Sequence, residues 1–128
     1  MSYRIYLSNA ISMNMFDIEK YALLRIEKYD VEKVKRTIEY AKENGMFISA
    51  VGHESTAKVL TAIIGVEIPA NRIAIKYEPG DLIIVAQLKS GRIPEGAVLT
   101  EEELKNLKFE FYGISAFVYD MIVVNEGR

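Results

Sequence analysis

Apolar residues recur at every second position at the start of the chain: Tyr3, Ile5 and Leu7 in Tyr3–Ile11 (YRIYLSNAI). This is the period of a strand with one face buried. Ser12–Asp17 breaks the pattern and reads as a loop. In Tyr21–Tyr29 (YALLRIEKY), Leu24 and Ile26 alternate with Arg25 and Glu27, which predicts a second strand; a helix is the alternative for this stretch. The period then changes. Asp30 is a natural N-cap, and Val31, Val34, Ile38 and Ala41 recur at spacings of three and four, so a helix runs from Val31 to about Asn44. Gly45 supplies its stop.

Phe47–Val51 is a short apolar segment. After Gly52 a second helix is expected to about Ile64, with Ala57, Leu60, Ile63 and Ile64 facing inward and Gly65 as the stop. Arg72–Tyr77 and Leu82–Leu88 flank Glu78-Pro79-Gly80-Asp81, a turn sequence that predicts a β-hairpin. Gly91–Gly96 (GRIPEG) reads as a loop. Thr100 and Glu103 form a capping box that opens a short helix to about Leu107. Lys108–Tyr119 is a final strand, and Asn125–Arg128 a frayed tail. The predicted fold is α/β: a single mixed β-sheet with packed helices, one domain over residues 1–128.

Composition narrows the possible chemistry. The 128 residues suffice for one core, half of them are apolar and 27% are charged. No apolar run approaches the roughly 18 residues of a membrane span, and no secretory signal pattern is visible, so a cytoplasmic protein is expected. With no cysteine and one histidine, neither a disulfide framework nor a typical zinc site can form. A net charge of −2 argues against a general nucleic-acid coat, so an anionic ligand must be held by local donors. Phosphate-loop, dinucleotide-binding and nucleophile-elbow motifs are all missing. No cofactor and no metal are expected.

The one histidine, His53, lies in Ser49–Thr56 (SAVGHEST), where Gly52 is expected to let the backbone turn before the second helix. A helix N-terminus offers unpaired N–H groups and a favourable dipole to an anion. An imidazole, with an ordinary pKa of about 6.5, can exchange a proton with a phosphodiester held there. A lone histidine is equally an ordinary surface or packing residue. Arg92 and Glu95 share the Gly91–Gly96 loop, which Pro94 stiffens. An arginine fork there suits bidentate phosphate contact, with a surface ion pair as the plain alternative. Asn9 and Ser12 follow the first strand, where sheets present ligand-binding residues, although turn chemistry also explains them. Gln87 and Asp81 are weaker candidates.

Several of these residues belong to a longer pattern. Tyr6-Leu7-Ser8-Asn9-Ala10-Ile11-Ser12, then Ser49–Ala57, Leu60, Gly65, Pro69, Asn71-Arg72, Gly80-Asp81, Leu88, Arg92, Pro94-Glu95-Gly96 and Glu102-Glu103-Leu104 resemble the viral anti-CRISPR ring nucleases. These are small proteins of archaeal viruses and bacteriophages, with relatives beside cellular type III CRISPR systems. The resemblance spans about Tyr6 to Glu110. It implies a homodimer whose subunits clasp cyclic tetra-adenylate in an interface pocket and cleave it without metal to linear di-adenylates, which switches off type III CRISPR immunity. His53, Arg92 and Glu95 then fall on the catalytic positions. Asn9, Ser12, Gly52 and Gln87 fall on substrate-binding ones. The implied location is the cytoplasm, the host's if the protein is viral, with no membrane and no duplex DNA as partners. Two other readings remain: a dimeric viral DNA-binding or regulatory protein without catalysis, and a sponge for the cyclic nucleotide.

Overall fold

A computed structural model of the chain describes residues 3–90, Ile93 and residues 100–119. Their elements are, in order, β1 (Ile5–Ser8), a single 3-10 turn (Met13–Met15), β2 (Tyr21–Tyr29), α1 (Val31–Glu43), β3 (Phe47–Ser49), α2 (Glu54–Ile64), β4 (Leu82–Ser90), α3 (Glu101–Asn106) and β5 (Lys108–Tyr119). The five strands form one mixed sheet in the order β2-β5-β4-β1-β3. β1 runs parallel to both β3 and β4, while β5 runs antiparallel to both β4 and β2. The α/β class and the single sheet agree with the sequence pattern.

The local signals account for the helix ends. Asp30 caps α1 by accepting the Lys33 N–H at 2.8 Å. Gly45 and Gly65 follow the helices at φ of 67° and 83°, a region that side-chain-bearing residues enter at a cost. The Thr100–Glu103 capping box is present in both directions. Val34, Ile38 and Ala41 of α1 and Ala57, Leu60 and Ile64 of α2 pack on Leu7, Ile84 and Ala86, which makes a core on one face of the sheet.

The hairpin expected from Arg72–Tyr77 and Leu82–Leu88 does not form. β4 already has two neighbours: β1 pairs Ile5 with Leu82 and Leu7 with Ile84, and β5 pairs Ile114 with Ile83 and Phe111 with Ala86. Residues 72–77 instead cross the helix-free face, where Ile75 and Tyr77 join Tyr6, Phe16, Ile83, Val85, Ile114 and Ala116 in a second core. Their alternation is real, but it arises from packing onto a sheet rather than from pairing within one. The Tyr77 hydroxyl accepts the Ala116 N–H at 2.9 Å, which fastens the segment.

The turn itself is present, with the Asp81 N–H donating to the Glu78 carbonyl at 2.9 Å and Gly80 at φ 95°. Asp81 is a structural residue. Only 3% exposed, it accepts the Arg4 N–H at 2.9 Å and the Glu78 N–H at 3.0 Å, and the Arg4 guanidinium lies 3.4 Å away. Its carboxylate ties the entry of β1 to the entry of β4. The expected tail at Asn125–Arg128 and most of the Gly91–Gly96 loop lie outside the described residues.

Asp81→Ala leaves two backbone donors without their charged acceptor, and is expected to cost about 2–4 kcal/mol. Urea denaturation should show a lower midpoint with an unchanged slope; a loss below about 1 kcal/mol would show that water replaces the carboxylate.

Candidate functional site

Because β1, β3 and β4 are parallel, their carboxyl ends share one edge of the sheet, where open α/β sheets commonly place ligands. Leu7 is level with Ser49 and Ser8 with Val85, and the Ala50 N–H donates to the Leu7 carbonyl at 2.8 Å as the chain leaves β3. The topology therefore gathers three separate stretches of sequence. Asn9 and Ser12 follow β1, Gly52 and His53 follow β3, and Gln87 lies near the end of β4. Arg92 and Glu95 follow β4 in sequence but lie outside the described residues.

His53 is the N-cap of α2, in extended backbone with φ −110° and ψ 132°, and is exposed. Its carbonyl accepts the Ala57 N–H at 3.0 Å, which starts the helix. Its side chain makes no capping hydrogen bond. The imidazole is therefore not committed to the helix, and the N–H groups of the first turn have no intrahelical acceptor. With the dipole they favour a negatively charged partner.

The loop carrying His53 is held from below. The Ser49 hydroxyl donates to the Pro69 carbonyl at 2.7 Å. The Asn71 side-chain amide donates to the Ser49 carbonyl at 2.7 Å, and the Asn71 N–H to the Val51 carbonyl at 2.8 Å. Asn71 thus clamps the backbone on both sides of Ala50. It also delivers Arg72, whose side chain lies over Gly52: a Cβ placed on that glycine would meet Arg72 Nε at 3.6 Å and Cγ at 3.7 Å. Those are ordinary contact distances, and Gly52 has no positive φ. Gly52 therefore does not supply left-handed backbone at the entry to α2. A side chain at Gly52 would meet Arg72 at no less than ordinary contact distance, so Arg72 lies against the residue that precedes His53.

Asn9 is exposed, and Ser12 precedes the 3-10 turn without a side-chain capping bond. Gln87 is exposed on β4, opposite Glu110 of β5 and in alternation with Ile83 and Val85 of the helix-free face. Glu110 sits among Tyr112, Lys28 and Lys89, with the lysine nitrogens at 3.4 and 3.6 Å. The hydrogen bond from the Tyr112 hydroxyl, aided by these lysines, holds its carboxyl below the usual range. Among the described residues, no group of three or more acidic or histidine side chains is placed to hold a metal ion. No helix there is long and apolar enough to cross a membrane.

Arg72 carries no functional signal of its own in the sequence. It was visible only as part of the Asn71-Arg72 pair, in a segment that reads as a strand. Its approach to Gly52 depends on residues 69–72 folding back beneath β3, which no local pattern announces.

The comparisons with known proteins agree with this architecture. Protein 26 of Sulfolobus islandicus filamentous virus is 44% identical over 98 residues, covering 73% of this chain and 82% of its own length. ORF117 of Acidianus two-tailed virus is 35% identical over 111 residues, covering 86% and 91%. YddF of Bacillus subtilis is 27% identical over 100 residues, covering 78% and 90%. All three are described as uncharacterized. The solved structure of B116 of Sulfolobus turreted icosahedral virus superposes with a TM-score of 0.73 at 30% identity, covering 87% of this chain and 97% of that one. A family model described as STIV B116-like matches residues 5–111, and the chain belongs to that family.

Proposed function

We propose that the protein is a metal-independent ring nuclease that cleaves cyclic tetra-adenylate. The observation that carries this reading is the exposed His53 at the start of α2, whose side chain makes no capping bond, with Arg72 lying against the preceding Gly52 just after β3. A phosphodiester at the first-turn N–H groups would have an imidazole and a guanidinium within the same loop cluster. The resemblance of Ser49–Ala57 and Pro94-Glu95-Gly96 to the ring nucleases supplies the substrate.

The chemistry is an internal displacement. A ribose 2′-hydroxyl loses its proton to solvent as its oxygen bonds to the adjacent phosphorus, the bond from phosphorus to the 5′-oxygen breaks, and a 2′,3′-cyclic phosphate remains. His53 protonates the departing 5′-oxygen. Arg92, assisted by Arg72, offsets charge on the phosphoryl oxygens, and Glu95 orients His53 or Arg92. Asn9, Ser12 and Gln87 hold the ring so that the 2′-oxygen stands in line with the leaving group. A two-fold dimer presents each group twice to a ring of four nucleotides, so two cuts release two di-adenylates. The protein would act in the cytoplasm, where it would silence type III CRISPR effectors that the ring activates.

His53→Ala should slow cleavage by roughly two or more orders of magnitude in EDTA, with little change in ring binding. Radiolabelled ring with products resolved by mass spectrometry reads this directly. An active His53→Ala protein, or activity abolished by chelator and restored by one divalent ion, would overturn the mechanism.

A ring with 2′-O-methyl riboses should bind and resist cleavage, since its nucleophile is blocked. Ready cleavage of that ring would require an activated water in place of the 2′-oxygen.

A further inference from the structure

We infer that Asn71 is a positioning residue of the proposed reaction: through the backbone of Ser49–Val51 it holds the His53 imidazole and the Arg72 guanidinium in one fixed relation. The inference rests on the nuclease reading above and adds to it a residue that acts through its neighbours.

The two functional side chains stand on different stretches of chain. Arg72 follows Asn71 directly, while His53 lies two residues beyond Val51. Asn71 joins the stretches by two bonds of different origin. Its side-chain amide donates to the Ser49 carbonyl at 2.7 Å, and its main-chain N–H donates to the Val51 carbonyl at 2.8 Å. Ser49 carries further ties: its hydroxyl donates to the Pro69 carbonyl at 2.7 Å and accepts the Val51 N–H at 3.3 Å. With the Ala50 N–H on the Leu7 carbonyl, the backbone is pinned from β3 as far as Val51.

Beyond Val51 the support lapses for one peptide. On the far side, the His53 carbonyl is fixed by the Ala57 N–H in the first turn of α2. Between the two supports lies the Gly52–His53 peptide, which makes no hydrogen bond among the described residues. Glycine restrains backbone rotation least. The direction in which the imidazole leaves the backbone therefore depends on where the Val51 end is held, and Asn71 holds it. The same residue sets the origin of the Arg72 side chain, which lies against Gly52. Proton transfer and charge stabilisation both need close placement, and a displacement of about 1 Å can cost roughly a hundredfold in rate. The amide is specific to this task. Ser49 is only 3% exposed, so water is a poor substitute donor to its carbonyl. An ionised aspartate has the shape of asparagine but no hydrogen to donate.

Asn71→Asp tests the inference, because it keeps the shape and the main-chain bond and removes only the donor. At neutral pH it should lower kcat for cyclic tetra-adenylate by roughly ten- to a hundredfold, with KM within about threefold of wild type. A carboxylate against a carbonyl is disfavoured, which raises the pKa of the introduced group above its ordinary value of about 3.9. As pH falls through that raised value the group gains a proton and can donate to Ser49 again. The ratio of variant to wild-type kcat should then climb back toward one, the titration of His53 being common to both proteins. A second readout needs no substrate. His53 is the one histidine, so its imidazole protons give one resolved set of NMR signals. In Asn71→Asp these should be shifted or broadened at neutral pH and match wild type in acid, with unchanged circular dichroism. Asn71→Ala removes the donor without adding charge, and should lower kcat and move the signals with no recovery in acid. Wild-type kcat and signals in Asn71→Asp, or losses that follow only the folded fraction of both variants, would overturn the inference. A wild-type chain that leaves cyclic tetra-adenylate uncut, with the His53 signals still dependent on Asn71, would instead reject the nuclease reading and leave the hold of Asn71 on His53 standing.

Discussion

The structure depends on β1, four residues that are all buried and paired on both sides. Parallel pairing with β3 and β4 sets Leu7 level with Ser49 and Ser8 level with Val85, beyond which β4 continues to Ser90. Leu7 projects into the helix-covered core and Tyr6 into the core on the opposite face. A one-residue slip of β1 would exchange those faces and displace the loops that follow all three strands. The anchor at its entry is electrostatic: buried Asp81 is shared between the Arg4 and Glu78 backbones.

The two faces are covered by different means. α1 and α2 cover one face with regular apolar stripes. The other is covered by the 3-10 turn and by residues 72–77, which carry Phe16, Ile75 and Tyr77 into contact with the sheet. This irregular cover gives the site its approach. Pro69, Asn71 and Arg72 lie where the segment passes beneath β3, so the hydrogen bonds that hold it also set Arg72 against Gly52. Packing and site construction are the same feature here. The cover stops short of the outer part of β2, and there the exposed apolar side chains remain.

His53 shows how little local structure a catalytic candidate needs. The helix starts there because the residue is extended and its carbonyl begins the hydrogen-bond ladder; its ring takes no part. A serine or aspartate would cap the helix with its own side chain. A histidine that leaves the first-turn N–H groups open keeps two resources available at one place: a titratable ring and an anion-binding helix end.

The sequence by itself determined the elements whose period or ends carry a local signal. The stripe Val34, Ile38, Ala41, the caps at Asp30 and Thr100 and the stops at Gly45 and Gly65 are all consequences of chain geometry within a turn or two of helix. His53 was legible for the same reason, as the one histidine ahead of a helix. Tertiary structure decided the rest. Alternation in Arg72–Tyr77 could not distinguish a paired strand from a segment laid over a sheet, because both bury every second residue. The outcome turned on β1 and β5 occupying both sides of β4, which involves residues far away in the chain. The place of Arg72 beside Gly52, and the shared edge of β1, β3 and β4, follow from that pairing, since hydrogen bonds between distant strands leave no periodic mark on either strand alone.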